Sequence, residues 1–262
     1  MKVALIRTIS KNDMEKIKEC GVEVVEGNDY SADIILARNK IENFSKYKNL
    51  KWIHGSFAGV DKFLTDEIKN SGVIITNSRG VYNTTVSEHA MSIMLALNRG
   101  LKKSVISQEK REWAEFNDEE VDELYGKTIG ILGTGEIGGN IARLCKAFGC
   151  KTIGLNKSGG KSKYVDKMLP SSKLHYLLRE SDYIVVALPL TSETQHLIGK
   201  KEFAIMKRTA TIINIGRGQI LDEKELVKTL KSGRIKGAGL DVFEEEPLST
   251  SSPLWHMKNV II

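Results

Sequence analysis

Lys127-Thr128-Ile129-Gly130-Ile131-Leu132-Gly133-Thr134-Gly135-Glu136-Ile137-Gly138 is the stretch whose reading decides the fold. Thr128–Leu132 is an apolar run suited to a buried strand, and it leads directly into a Gly-x-Gly-x-x-Gly turn. Ile137, Ile141, Leu144 and Phe148 then recur at intervals of three and four, the period of a helix. Strand, glycine turn and helix in this order suit a dinucleotide pyrophosphate. The first glycine permits the tight turn, the second lets the backbone approach the phosphates, and the third lets the helix pack close to the strand. The phosphates then meet the unpaired N–H groups at the helix start. Gly133, Thr134, Gly135, Glu136, Ile137 and Gly138 are therefore cofactor-binding candidates, set against the competing reading of a fortuitous glycine turn.

Upstream of this stretch, strand and helix signals alternate. Strand candidates are Val3–Ile6, Val22–Val25, Asp33–Ala37, Trp52–Ile53 and Val73–Thr76. Asp13–Cys20 and Lys62–Asn70 read as helices, stopped by Gly21 and Gly72. Residues 84–107 carry the longest helical stripe, with Thr84 or Thr85 as an N-cap candidate and Glu88 near the capping-box position. Downstream, strands are expected at Lys151–Leu155, Tyr183–Leu188, Thr211–Ile215, Ala238–Val242 and Val260–Ile262. Such βα alternation implies parallel sheets covered by helices. The expectation is two doubly wound α/β domains, a substrate domain over residues 1–98 and a cofactor domain over 99–262.

The 262 residues suffice for two domains, and 41% hydrophobic with 27% charged residues is an ordinary globular composition. No apolar run approaches the roughly 18 residues of a membrane span. The apolar part of the N-terminus is too short for a signal peptide and reads as a first strand. The three cysteines, Cys20, Cys145 and Cys150, contain no Cys-x-x-Cys and read as reduced thiols of a cytoplasmic protein. The net charge of +6 comes from lysines mixed with acids along the chain, which argues against a nucleic-acid track. No metal site is expected.

Ligands of open α/β sheets bind beyond the carboxyl ends of the strands. After Thr211–Ile215 comes Gly216-Arg217-Gly218, an arginine in a cleared, backbone-lined space where a guanidinium clamps a carboxylate. A surface turn arginine is the plainer alternative. After Ala238–Val242 comes Phe243-Glu244-Glu245-Glu246-Pro247. Glu244 and Glu245 read as a solvated loop. Glu246 stands out because Pro247 restricts its backbone, and Asp241, at the strand's end, is placed to accept a hydrogen bond from a carboxamide.

Together, five stretches resemble the NAD(P)-dependent D-2-hydroxyacid dehydrogenase family. They are Gly133–Gly138, Ala187-Leu188-Pro189-Leu190-Thr191, Asn214-Ile215-Gly216-Arg217-Gly218, Leu240–Leu248, and Ser56-Phe57-Ala58-Gly59-Val60-Asp61. The match runs from about residue 50 to Ile262, and Arg217 and Glu246 stand 29 residues apart, as in the family pattern. The resemblance implies a flavodoxin-like substrate domain, a Rossmann cofactor domain and a homodimer. Residue by residue, Arg217 would hold the substrate carboxylate and carbonyl. Glu246 would orient a histidine and favour its protonated form. The backbone amides of Ala58 and Gly59 would receive the carboxylate. Asp241 would bind the nicotinamide carboxamide, and Leu188, Pro189 and Ile215 would line the cofactor. Hydride would pass between nicotinamide and the 2-oxo carbon. The partner is then a small 2-oxoacid or 2-hydroxyacid, with neither nucleic acid nor membrane involved.

Two departures accompany the resemblance. An acid should hold the ribose about twenty residues past the glycine motif. Asn156-Lys157-Ser158 stands there instead, which points to NADP(H), with NAD(H) the alternative. The family's Thr-Pro-His should follow the strand at Val260–Ile262, where the 262 residues end. The chain as given is therefore expected to turn over poorly and to lack the family's C-terminal return helix. Among its histidines, His256 precedes the last strand, and a four-residue strand spans about 13 Å, which sets it at the wrong sheet edge. His54 reads as structural, His89 as helix packing, and His175 and His196 as surface or helix residues. The alternative function is a catalytically silent dinucleotide sensor or partner-binding protein on the same fold.

Overall fold

The alternating signals build two separate parallel sheets, and each belongs to its own compact unit, Met1–Tyr82 and Asn83–Ile262. The computed structural model describes residues 1–38, 41–56, 59, 65–118 and 120–262. In the first unit the order is β1 (Lys2–Ile6), α1 (Lys11–Lys18), β2 (Glu23–Glu26), β3 (Ile34–Ala37), β4 (Trp52–Gly55), α2 (Asp66–Lys69) and β5 (Ile74–Asn77). The strands lie β2-β1-β3-β4-β5, all parallel, which is the flavodoxin-like order. Ser10 caps α1 by accepting from the Asp13 amide at 3.1 Å, and Thr65 caps α2 through the Ile68 amide at 3.3 Å. Ala4, Ile35, Ile53 and Ile68 centre this unit's core.

The second unit begins with two helices, α3 (Asn83–Asn98) and α4 (Leu101–Lys110). The sequence reads as one long helix here, but Gly100 adopts φ +63 and breaks it. The Phe116 ring packs against the bare Cα of Gly100, so the break is held by a tertiary contact. Because α3 starts at Asn83, neither Thr84 nor Thr85 is its N-cap. The expected boundary near residue 98 also falls inside what is structurally one body. Ala90, Met91, Ile93 and Met94 of α3 are buried with Ile129, Ile131 and Ile213 of the second sheet, so α3 belongs to the second unit.

The remaining elements are β6 (Thr128–Leu132), α5 (Glu136–Ala147), β7 (Lys151–Asn156), β8 (Lys167–Pro170), α6 (Leu174–Glu180), β9 (Tyr183–Val186), α7 (Lys200–Ile205), β10 (Thr211–Asn214), α8 (Glu223–Lys231), β11 (Gly237–Leu240) and β12 (Val260–Ile261). The strands lie β12-β11-β10-β9-β6-β7-β8, all parallel. One apolar core covers each face of this sheet. β9, β10 and β11 are buried along their whole length, which is why they read as continuous apolar runs. β8, with its Lys-Met-Leu-Pro sequence, gave no strand signal; it is an edge strand ending in proline. Phe148 lies one residue beyond α5 and is exposed, so the buried stripe of that helix is Gly138, Ile141, Ala142 and Cys145. The three cysteines are free thiols. No helix among the described residues is long and apolar enough to cross a membrane.

Candidate functional site

The chain runs from β6 outward to β7 and β8, then returns to place β9 on the other side of β6. The crevice beyond β6 and β9 is therefore the switch point of the sheet, where such folds bind ligands. Gly133 turns the chain out of β6 at φ +94, a conformation that favours glycine. A Cβ there would lie 2.7 Å from the carbonyl oxygen of Ala187, at the end of β9. Gly138, in the first turns of α5, would drive a Cβ into the carbonyl oxygen of Gly133. Gly135, the N-cap of α5, faces open space: a Cβ built there meets nothing within 4 Å. The outer glycines thus close the turn, while the middle one leaves the approach to the helix N-terminus clear. This cradle fits a dinucleotide pyrophosphate. Thr134 and Ile137 are half-buried beside it. Glu136, in the first turn of α5, accepts a hydrogen bond from Nδ2 of Asn83 at 2.7 Å.

The close approach continues across the sheet. A Cβ on Gly216, beyond β10, would lie 2.7 Å from the carbonyl oxygen of Leu188. Gly218 packs against the backbone of Phe243 and Glu244, beyond β11, with no room for a methyl group. The two glycines around Arg217 therefore do not clear space for its side chain, as their spacing suggests. They let the ends of β9, β10 and β11 meet backbone to backbone. Pro189 is exposed at this edge, Leu188 is half-buried and Ile215 is buried.

Asn214, fully buried at the end of β10, shapes the arginine turn. Its Nδ2 donates to the carbonyl of Arg217 at 2.9 Å, and its Oδ1 accepts from the Gly216 amide at 3.1 Å. Its own carbonyl accepts from the Asp241 amide at 3.0 Å, which ties the ends of β10 and β11 together. The sequence reading quoted Asn214 without giving it a role. The available signal was a buried-strand run ending in an amide that must be satisfied. Arg217 is half-buried, and its Nη1 donates to the Gly216 carbonyl at 2.8 Å.

The loop after β11 is fastened at several points. Glu246 is exposed, precedes a cis peptide to Pro247, and accepts from the Phe243 amide at 3.3 Å. Glu244 is not merely solvated. It accepts from the amide of Glu223 at the start of α8 at 3.0 Å, while the Glu223 carboxylate accepts from the Glu244 amide at 3.1 Å. Gln219 donates to the Glu244 carbonyl at 2.7 Å. His196 lies in a loop at φ +48, not in a helix, and its Nε2 stands 2.9 Å from Glu244. The loops carrying Arg217 and Glu246 are thereby joined into one piece.

Asn156 ends β7, and Lys157 and Ser158 follow it exposed. The Asn156 amide is engaged locally: Nδ2 donates to Thr134 Oγ1 at 3.3 Å and to the Gly160 carbonyl at 3.0 Å, and Oδ1 accepts from the Gly159 amide at 2.6 Å. Among the described residues Lys157 reaches only Glu193, at 3.9 Å, with both side chains largely in water.

His89 is half-exposed on α3, and its Nε2 lies 3.1 Å from Oδ1 of Asp241, so it is not a packing residue. His54 belongs to the first unit. Trp52 Nε1 donates to Thr76 Oγ1 at 2.8 Å, and that hydroxyl faces His54 Nδ1 at 2.8 Å. His54 Nε2 faces Ser78 Oγ at 3.2 Å, which donates onward to the Gly55 carbonyl at 3.2 Å. A neutral ring with its proton on Nε2 satisfies the whole chain of bonds. His175 pairs with Glu202 at 3.1 Å. His256 closes the turn before β12. Ala58 lies outside the described residues, and Gly59 is half-buried in the segment after β4.

A doubly wound sheet with a glycine cradle at its switch point defines the class of dinucleotide-binding α/β proteins. Residues 91–262 match the family model described as the NAD binding domain of D-isomer specific 2-hydroxyacid dehydrogenase, and the chain belongs to that family. It is 35% identical over 256 residues to a D-3-phosphoglycerate dehydrogenase of Methanocaldococcus jannaschii, covering 95% of this chain and 46% of that protein. It is 35% identical over 254 residues to a glyoxylate reductase of Thermococcus gammatolerans, covering 94% of this chain and 75% of that one. Among solved structures, a glyoxylate reductase from Paecilomyes thermophila superposes with a TM-score of 0.88 at 27% identity, covering 100% of this chain and 87% of that one.

Proposed function

We propose that this protein is an oxidoreductase that moves a hydride between NADP(H) and a 2-oxoacid or D-2-hydroxyacid. The observation that carries the reading is the arginine turn, which the buried Asn214 folds at the same sheet edge as the glycine cradle. When bound, the nicotinamide supplies or accepts the hydride. Arg217 binds the substrate carboxylate and polarises the 2-oxo group with its fixed positive charge. Glu246 would orient the histidine that the family pattern places after Val260–Ile262, outside these 262 residues, and would favour its protonated form. Asp241 accepts from the carboxamide and sets which ring face meets the substrate. Leu188, Pro189 and Ile215 line the cofactor's path, and the amides at the start of α5 hold its phosphates.

The choice of NADP(H) rests on the loop after β7. The Asn156 amide donates to Gly160 of its own loop and to Thr134 of the glycine turn and accepts from Gly159, which leaves it unlike the paired carboxylate oxygens that hold a ribose diol. It carries no charge to repel a 2′-phosphate, and the exposed Lys157 and Ser158 follow it, their side chains held only by a 3.9 Å contact with Glu193 and a 3.3 Å bond from the Gly160 amide among the described residues. Lys157→Ala is expected to weaken NADPH binding by about tenfold and leave NADH nearly unchanged. Asn156→Asp should shift preference toward NADH. A wild-type protein that prefers NADH would overturn the cofactor assignment.

A homodimer is proposed through α4. That helix buries no residue within the chain and exposes Leu101, Val105 and Ile106, and Trp113 beyond it is 92% exposed. Light scattering on the wild type and on Val105→Glu tests this; a monomeric wild type would rule it out.

The activity itself is tested by screening 2-oxoacids for oxidation of NADPH and NADH, alongside binding of oxamate, an unreactive 2-oxoacid mimic, to the protein–NADPH complex. Arg217→Ala should abolish oxamate binding without changing NADPH affinity. Binding of NADPH with no oxamate binding and no turnover would favour the dinucleotide-sensing reading instead.

A further inference from the structure

The contact between His89 and Asp241 has a structural cause. α3 is seated on β11 so closely that Ile93 packs on the bare Cα of Gly239, and a Cβ at Gly239 would lie 3.4 Å from Leu97 Cδ1. His89 stands one helical turn before Ile93, and Asp241 stands two residues after Gly239. Four helical residues rise about 6 Å and two strand residues about 6.6 Å, so the two steps match when the helix runs antiparallel to the strand. The packing of Ile93 on Gly239 therefore carries His89 just past the end of β11, to the place where Asp241 emerges. There Nε2 of His89 lies 3.1 Å from Oδ1 of Asp241. The backbone of Asp241 is held independently by the bond from its amide to the Asn214 carbonyl, at 3.0 Å. Among the described residues, Oδ2 of Asp241 has no hydrogen-bond partner.

We infer that His89 is a positioning residue of the nicotinamide site. Its Nε2, paired with Oδ1 of Asp241 at 3.1 Å, limits the carboxylate's rotation and presents the other oxygen to the carboxamide N–H₂ of the cofactor. This rests on Asp241 being the carboxamide acceptor, as proposed above. An aspartate anchored only through its backbone turns freely about its side-chain bonds. Ordering it on binding costs affinity that the preformed contact with His89 saves.

The test compares NADPH with its reduced 3-acetylpyridine analogue, which keeps the ring carbonyl but lacks the amide N–H₂. Dissociation constants come from cofactor fluorescence, without turnover, and melting curves establish that each variant is folded. The wild type should bind NADPH more tightly than the analogue. Asp241→Ala should remove that preference. His89→Ala should lower it by about three- to tenfold, and His89→Gln, which keeps an N–H donor, should restore part of it. If Asp241→Ala removes the preference while His89→Ala leaves it intact, the inference is overturned and the Asp241 assignment stands. Equal weakening of both cofactors by His89→Ala would mark a merely structural residue and also overturn it. If Asp241→Ala retains the preference, the Asp241 assignment itself fails.

Discussion

The two sheets of this protein share parallel topology but are stabilised differently. In the second unit, apolar cores cover both faces, and strand ends meet through glycines at backbone contact distance. In the first unit, the described residues form one core, α1 buries no residue, and β2 and β5 hold only exposed and half-buried positions. Polar fasteners take a larger share there. Lys2 joins Asp29 at 3.2 Å and Glu23 at 3.4 Å, the Asp33 carboxylate accepts from the Lys2 amide at 2.9 Å, and the Trp52–Thr76–His54–Ser78 chain links β4 to β5. The difference teaches where each unit is brittle: the second responds to added volume, the first to lost hydrogen bonds and to pH.

The sharpest way to break this contrast is Gly218→Ala. The new methyl must displace the backbone of Phe243 and Glu244, so a loss of about 3 kcal/mol or more is expected in urea unfolding of the second unit. A loss below about 1 kcal/mol would show that the strand ends are not locked together. Lys102→Ala tests whether polar contacts also matter in the second unit. Burial pushes the Lys102 ammonium below its ordinary value, yet its Nζ donates to the carbonyls of Met257 at 2.8 Å and Val260 at 2.7 Å. Removing it takes the Lys102 donor from the Val260 carbonyl and leaves that of Met257 with the Val260 amide at 3.3 Å, at an expected cost of about 1–3 kcal/mol by thermal melting.

His54→Ala should cost about 1 kcal/mol and act on the first unit alone, seen as faster hydrogen exchange in β4 and β5 with β10 and β11 unchanged. The smallest effect concerns acid. The hydroxyl and amide of Ser31, then Lys2, lower the Asp29 carboxyl from 3.8 to about 2, and the Lys2 amide, then Lys51, lower that of Asp33. Both are depressed in the folded state, so their contribution is complete above about pH 4 and is lost as pH falls toward 2. Exchange measured from pH 5 to 2.5 should show the first unit loosening, with Asp29→Asn flattening the dependence. An unchanged slope in that variant would remove Asp29 from the account.

Most strands were legible because burial on both faces leaves a continuous apolar run, as in Tyr183–Val186 and Thr211–Asn214. β8 was not, since an edge strand ending in proline lacks that run. The break at Gly100 was missed for another reason: the apolar stripe continues across it, and Phe116, which packs on it, lies sixteen residues away in sequence. In the candidate site, Arg217, Glu246 and Asp241 stood out because each follows a strand. The acceptor of Asn156's amide and the partner of Glu244 did not, because neither is set by spacing.

The sequence by itself determined what depends on neighbours along the chain. These are the strand–turn–helix at residues 128–147, the parallel class that βα alternation imposes, and the family to which the motifs belong. Only the tertiary structure decided what depends on residues far apart. It assigned α3 to the second unit, showed the glycines around Arg217 to be sites of backbone contact, and set His89 against Asp241 across 152 positions. Local periodicity records which face of an element is buried. It does not record which partner buries it, and in this protein the partner turned His89 from a packing residue into a neighbour of the proposed cofactor site.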